Sequence, residues 1–245
     1  EGMVRPAGTH IELNTAIDID LQMFENPRIR VGHGAMVLVA DSSELVLNVT
    51  THKPVNILFF SDATYASNTY LQGFRSRNAV NYTAKEAVDV KLVMSGFNQA
   101  YGINAEGVGL KAGDASYRFE KDTNLYFQAQ KGGWYLYGVR LAGFNRPNQP
   151  EANGKSILSN VAGSTLTIDI ETKNEADDQT RAYGLYLTAY SALDLQGKAK
   201  LSFWEDPTGR KSDAYYGLYA TLPANAYKQF YDINVNELSV KANAP

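Results

Sequence analysis

Apolar and polar residues alternate with a period of two along much of the chain. Ile11, Leu13, Ile17, Ile19, Leu21 and Met23 occupy odd positions, with Glu12, Asn14, Asp18, Asp20 and Gln22 between them. Successive side chains of an extended strand point to opposite faces, so this spacing predicts strands with one buried face. Val88–Leu92, Leu125–Ala129, Leu166–Ile170 and Leu201–Phe203 alternate in the same way. Segments with helical period are few and short, and Ala224–Tyr231 is the best of them, equally readable as a turn. The pattern predicts an all-β protein.

The strands recur. The signature Leu-x-apolar appears at Leu125, Leu166, Leu201 and Leu238, with Val90-Lys91-Leu92 as an earlier copy, at spacings of 35, 41, 35 and 37 residues. A second signature, Tyr-Gly-apolar, begins at Tyr101, Tyr137, Tyr183 and Tyr216 and follows the first by 11, 12, 17 and 15 residues. Weaker copies lie at Leu47-Asn48-Val49 and at Tyr70 to Phe74. Two signatures in fixed order with variable loops between them describe a solenoid whose length varies outside its strand cores. The repeated Gly marks a bend or a close approach of backbone. The Tyr before it is expected to stack on its equivalents one strand spacing, about 4.8 Å, above and below.

The expected fold is a right-handed parallel β-helix (β-solenoid) with an N-terminal capping segment; a β-propeller or β-sandwich is the alternative. Residues 1–44 do not match the repeat and are expected to form the cap and first strands, and residues 45–245 the repeats, as one continuous domain of about 37-residue units. A propeller blade has a similar period but needs four strands, and only two or three are visible per repeat. The chain ends just after a strand signature, which suggests a fragment of a longer protein.

Composition narrows the function. The 245 residues are 44% hydrophobic and 20% charged, with net charge −3. Such a chain can bury a core, and it has no global positive field to recruit nucleic acid or anionic lipid. No apolar run approaches the roughly 20 residues of a membrane-spanning helix. The first residues lack the basic and apolar regions of a signal peptide, so any such segment is expected to have been removed. With no cysteine, thiol catalysis, Cys-ligated metals and disulfides are excluded.

Motifs for chemistry are scarce. The three histidines, His10, His33 and His52, have no zinc-site spacing, and no nucleotide-binding glycine loop or G-x-S-x-G nucleophile motif occurs. Gly113-Asp114-Ala115-Ser116 places Ala where a serine-protease nucleophile would stand. Asp18 and Asp20 share a strand face, Asp177 and Asp178 lie in a polar loop, and Asp169, Glu171 and Lys200 occupy outward strand positions. These are read chiefly as solvated faces. No cofactor, metal or catalytic residue is expected. The candidate binding residues are Trp204, which is out of phase with Leu201 and Phe203 and so predicted to point outward, and Arg146, Asn148 and Gln149, in the long polar excursion from Gly143 to Asn160.

The repeat, as in Ala182-Tyr183-Gly184-Leu185-Tyr186 and Ala214-Tyr215-Tyr216-Gly217-Leu218-Tyr219-Ala220, resembles the passenger region of Gram-negative autotransporter proteins. The resemblance covers roughly residues 45–243. It implies a β-helix exported to the cell surface through an outer-membrane barrel. It also implies an adhesin or structural stalk, not an enzyme, whose partner is a host or bacterial surface protein or glycan, with no nucleic acid and no membrane insertion of this segment itself. A polysaccharide-acting β-helix enzyme is the alternative.

Overall fold

The computed structural model describes residues 3–5, 10–23, 34–40, 46–61, 70–77, 79–95, 99–107, 114–131, 135–143, 154–173, 180–188, 190–205, 214–221 and 231–243. Every element among them is a strand, and every strand pairing is parallel. The chain coils into a parallel β-helix. The propeller and sandwich alternatives fail on this point, because both are built from antiparallel neighbours.

Each coil contributes strands to three stacks. The first stack holds β1 (Met3–Arg5), β4 (Met36–Ala40), β7 (Tyr70–Arg77), β10 (Gln99–Gly107), β13 (Tyr135–Gly143), β16 (Arg181–Thr188) and β18 (Ala214–Thr221). The second holds β2 (His10–Leu13), β5 (Leu47–Thr51), β8 (Val80–Ala84), β11 (Ala115–Phe119) and β14 (Ser156–Asn160). The third holds β3 (Ile17–Met23), β6 (Val55–Ser61), β9 (Val88–Ser95), β12 (Thr123–Lys131) and β15 (Thr165–Thr172). In the last two coils one long strand serves both stacks: β17 (Ser191–Glu205), then β19 (Tyr231–Asn243). Seven tiers at about 4.8 Å per step span on the order of 30 Å.

Residues 1–44, expected to form the cap and first strands, carry β1 to β4, and β1, β2 and β3 pair with β4, β5 and β6 as any tier pairs with the next. These strands alternate like the later ones but lack the Tyr-Gly landmark of the later coils. The helical candidate at Ala224–Tyr231 lies outside the described residues except for Tyr231, which opens β19.

The four Tyr-Gly-apolar copies are in register: Tyr101, Tyr137, Tyr183 and Tyr216 form one column, and Ile103, Val139, Leu185 and Leu218 another. Gln72-Gly73-Phe74 is the preceding copy, with Gln in the Tyr column. The Leu-x-apolar copies are only partly aligned. Leu125 pairs with Val90 as expected, but its next neighbours are Ile168, Leu201 and Val240, while Leu166 and Leu238 sit beside Thr123 and Ala199. The slip is two residues. It leaves every side chain on the face anticipated, because a shift of two preserves alternation.

The core runs the length of the coil. Its columns include Ile57, Val90, Leu125, Ile168 and Leu201 in the third stack and Val49, Tyr82, Tyr117, Leu158 and Leu193 in the second. Tyr82 is fully buried and its hydroxyl pairs with Thr51 Oγ1 at 3.1 Å. Burial pushes that phenol up to about 12.

The repeated glycine exists because two backbones and an opposing side chain meet there. Alternation breaks at this residue: Ala100 and Ile103 both join the core while Tyr101, between them, faces out. A Cβ on Gly138 would lie 2.5 Å from Ile168 Cγ2 and 2.6 Å from the Gly184 carbonyl oxygen. On Gly184 it would lie 2.8 Å from the Gly217 oxygen and from Leu201 Cδ1. Among the described glycines only Gly163, at φ 87°, has positive φ, so the column is required by space and not by handedness.

Candidate functional site

Two outward faces carry clustered side chains. On the first stack, Tyr101, Tyr137, Tyr183 and Tyr216 form a ladder with ring centroids 4.9, 5.0 and 4.9 Å apart and planes within 10° of parallel. Tyr186 and Tyr219 form a second, shorter ladder at 5.4 Å, edge-on to the first. These rings cover one another: Tyr101, Tyr137 and Tyr183 are 4%, 8% and 5% exposed although they lie outside the coil. Beside them, Arg140 donates to Asn104 Oδ1 at 2.9 Å and meets Glu106 Oε1 at 3.3 Å, and Asn104 donates to Gln72 Oε1 at 2.8 Å. Rings and charges here are spent on each other, and the ladder is a structural girdle.

The third stack presents a different face. Alternation turns Tyr126 and Gln128 of β12, Asp169 and Glu171 of β15, and Ser202 and Trp204 of β17 outward. Register then sets Tyr126, Asp169 and Ser202 in one row and Gln128, Glu171 and Trp204 in the next. Tyr126 donates its hydroxyl hydrogen to Glu171 Oε2 at 2.7 Å, Gln128 Nε2 approaches the same oxygen at 3.5 Å, and Lys173 Nζ lies 3.9 Å from Oε1. Lys91 Nζ stands 5.3 Å from the Tyr126 ring centre. Trp204 is 47% exposed at the edge of this cluster, pointing outward as its phase predicts.

The electrostatics of this face are uneven. Asp169 Oδ1 is shut off from solvent with no hydrogen-bond partner among the described residues. Burial first, and then the neighbouring Glu171 charge, raise the Asp169 carboxyl above its usual range. Burial and the bond to Glu171 push the Tyr126 phenol up to about 12, so it remains a donor at neutral pH. The face thus combines an exposed indole, a phenol, an amide and two carboxyl groups in different surroundings. Such a set can stack on an apolar ring face and accept hydrogen bonds from hydroxyl groups.

The other candidates separate cleanly. Arg146, Asn148 and Gln149, with Asp177, Asp178 and His33, lie outside the described residues. Asp18 accepts from Asn56 Nδ2 at 2.7 Å and Asp20 from Gln22 Nε2 at 2.9 Å, so both are tied to amides on a solvated face. His10 and His52 both contact the exposed Glu12, and the His52 hydrogen bond is the main reason that carboxyl is lowered. Among the described residues no group of three or more His, Asp and Glu is arranged to hold a metal ion, and no helix is long and apolar enough to cross a membrane. Tyr126 and Gln128 were the residues sequence reasoning missed. Their outward phase was readable, but their meeting with Glu171 depends on a register spanning 45 residues.

No protein-family model matches the chain, and no curated protein or solved structure is significantly similar to it.

Proposed function

We propose that the protein is a surface-displayed β-helical adhesin or stalk of the autotransporter-passenger kind, and that the Tyr126–Asp169–Glu171–Trp204 face contacts a glycan. The observation that carries this reading is Trp204, a large ring left 47% exposed on a rigid strand beside hydrogen-bonding partners. An exposed tryptophan on a fixed strand loses little entropy on stacking against a sugar ring, and neighbouring carboxylates and amides suit its hydroxyls. The parallel coil supplies the rigidity, since every strand is held from both sides except at the ends. Glycan-array and cell-binding measurements test it. The wild-type protein should bind, and Trp204→Ala should weaken binding about tenfold or more with the circular dichroism spectrum unchanged. A blank array for the wild-type protein would overturn the glycan reading.

A polysaccharide-acting enzyme is the second reading, favoured by one observation. Asp169 and Glu171, two residues apart on one strand face, have Cα atoms about 6.6 Å apart. The Asp169 carboxyl, held above its usual range by burial and placed beside Glu171, resembles a general acid set next to a partner carboxylate. Polysaccharide cleavage lost in both Asp169→Asn and Glu171→Gln would favour this reading over the adhesin.

A further inference from the structure

Charges on the third-stack face are matched at its centre and unmatched beside Trp204. Glu171 is held by Tyr126, Gln128 and Lys173, and Asp89 accepts from Asn124 Nδ2 at 2.7 Å. Lys91 lies over the Tyr126 ring, and Lys198, earlier in β17, meets Glu237 at 3.3 Å. Lys200 and Lys241 differ. Alternation and register place Lys200 outward on β17 between Thr167 and Ser239, and Lys241 outward on β19 beside Ser202. Among the described residues neither ammonium meets a carboxylate, and Lys200 is exposed although its strand is covered on both sides by β15 and β19. The remaining carboxyl nearby, Asp169, shares the row of Ser202 and Lys241. Burial favours its neutral form, so it offsets less of the lysine charge than an exposed Asp would.

We propose, resting on the glycan reading above, that the ligand is an acidic glycan. Its carboxylate or sulfate group is held over Ser202 between Lys200 and Lys241, while a neighbouring sugar ring stacks on Trp204. The backbone geometry supports this placement. Ser202 lies one strand spacing, about 4.8 Å, from Lys241 and two residues, about 6.6 Å, from both Lys200 and Trp204. Two long lysine stems therefore reach one anion above the Ser202 hydroxyl, and the indole stays clear of them for stacking. The carboxylate nearest Trp204 in its row, Glu171, is already engaged by three donors and opposes an anion less than a bare carboxylate would. The chain's net charge of −3 disfavours a polyphosphate, which is densely charged along its whole length, and a pair of lysines suits a polymer charged at intervals.

Binding of the whole chain to two backbone-matched pairs of polymers tests the proposal: polygalacturonate against its carboxyl-reduced form, and dextran sulfate against dextran. The acidic member of at least one pair should bind about tenfold or more tightly than its neutral counterpart, and the responding pair separates carboxylate from sulfate. Lys200→Glu and Lys241→Glu should each lower that affinity by about tenfold or more with the circular dichroism spectrum unchanged, and Lys200→Arg should keep it. The chain has two tryptophans, so Trp134→Phe leaves Trp204 as the only indole, and its fluorescence should change when the acidic polymer binds. If neutral and acidic members bind alike, with Trp204→Ala weakening both and the lysine variants weakening neither, the glycan reading stands and the acidic ligand is overturned. If no polymer and no arrayed glycan binds, or single-stranded DNA binds more tightly than every glycan, both are overturned.

Discussion

The coils of β16–β17 and β18–β19 have nearly the same sequence pattern and opposite burial. Leu185 in β16 is 1% exposed and its neighbour Leu218 in β18 is 38%; Leu201 in β17 is 1% and Val240 in β19 is 48%. The difference lies in what covers them. A strand in the middle of the stack is covered from both sides, and a strand at the end from one. In a solenoid, burial is therefore a property of a residue's tier as much as of its hydrophobicity. Identical substitutions in the two coils should then have unequal effects.

The glycine column should show the largest contrast. Gly138→Val forces a branched side chain against the Gly184 carbonyl oxygen and Ile168, both fixed by neighbouring tiers. A loss of about 3 kcal/mol is expected, the upper end of overpacking. At Gly217 the close atoms belong only to the half-exposed Val240 side chain, which can move, and Gly217→Val should cost under about 1 kcal/mol. Chemical denaturation of both variants measures this, and equal midpoints would break the comparison.

Cavity formation comes next. Leu201→Ala empties a space enclosed by Ile168, Val240 and the glycine column, and should cost about 2–5 kcal/mol. Val240→Ala removes methyls that are already about half exposed and should cost less than about 1 kcal/mol. The tyrosine ladder gives a smaller, graded version. Tyr183 stacks on Tyr137 and Tyr216, whereas Tyr216 stacks on Tyr183 alone in the ladder. At about 0.5–1.5 kcal/mol per stacked pair, Tyr183→Leu should cost about twice as much as Tyr216→Leu.

The smallest effect is electrostatic. The Asp169 carboxyl is raised in the folded protein, so the folded state binds its proton more tightly than the unfolded chain. Its favourable contribution is complete below the ordinary Asp value and is lost as pH rises through the raised folded value. Asp169→Asn should therefore raise the denaturation midpoint at pH 7, and the difference should vanish in acid. Glu120 has the opposite sign. Its hydrogen bond to Lys85 lowers the carboxyl, and Glu120→Gln should weaken the fold slightly at neutral pH, with the loss disappearing as pH falls below the ordinary Glu value.

The Tyr-Gly landmark made the first stack legible because Tyr-Gly has no equivalent frame one or two residues away. The third stack was harder. Leu166-Thr167-Ile168-Asp169-Ile170 offers two frames that bury the same face, and nothing local distinguishes Leu166 beside Leu125 from Ile168 beside Leu125. Cross-coil packing decides between them: Ile168 is the residue that fills the space under Gly138. The second stack was nearly invisible because strands of five residues, such as Val80–Ala84, are too short for alternation to stand out. Trp204 was placed outward from phase alone, whereas its company of Glu171 and Gln128 required the register.

Alternation determines from the sequence which side of each strand faces inward, because that choice depends only on the two-residue repeat of extended backbone. The recurrence of Tyr-Gly likewise determines that the strands belong to a coil. Which residues become neighbours across 33 to 46 positions was decided by tertiary structure, as Tyr101, Tyr137, Tyr183 and Tyr216 illustrate. So were the isolation of Asp169 Oδ1 and the exposure of Val240. The reason is physical: a parallel strand makes no hydrogen bonds within itself, and its partners, its burial and its charges' surroundings come from the tiers on either side.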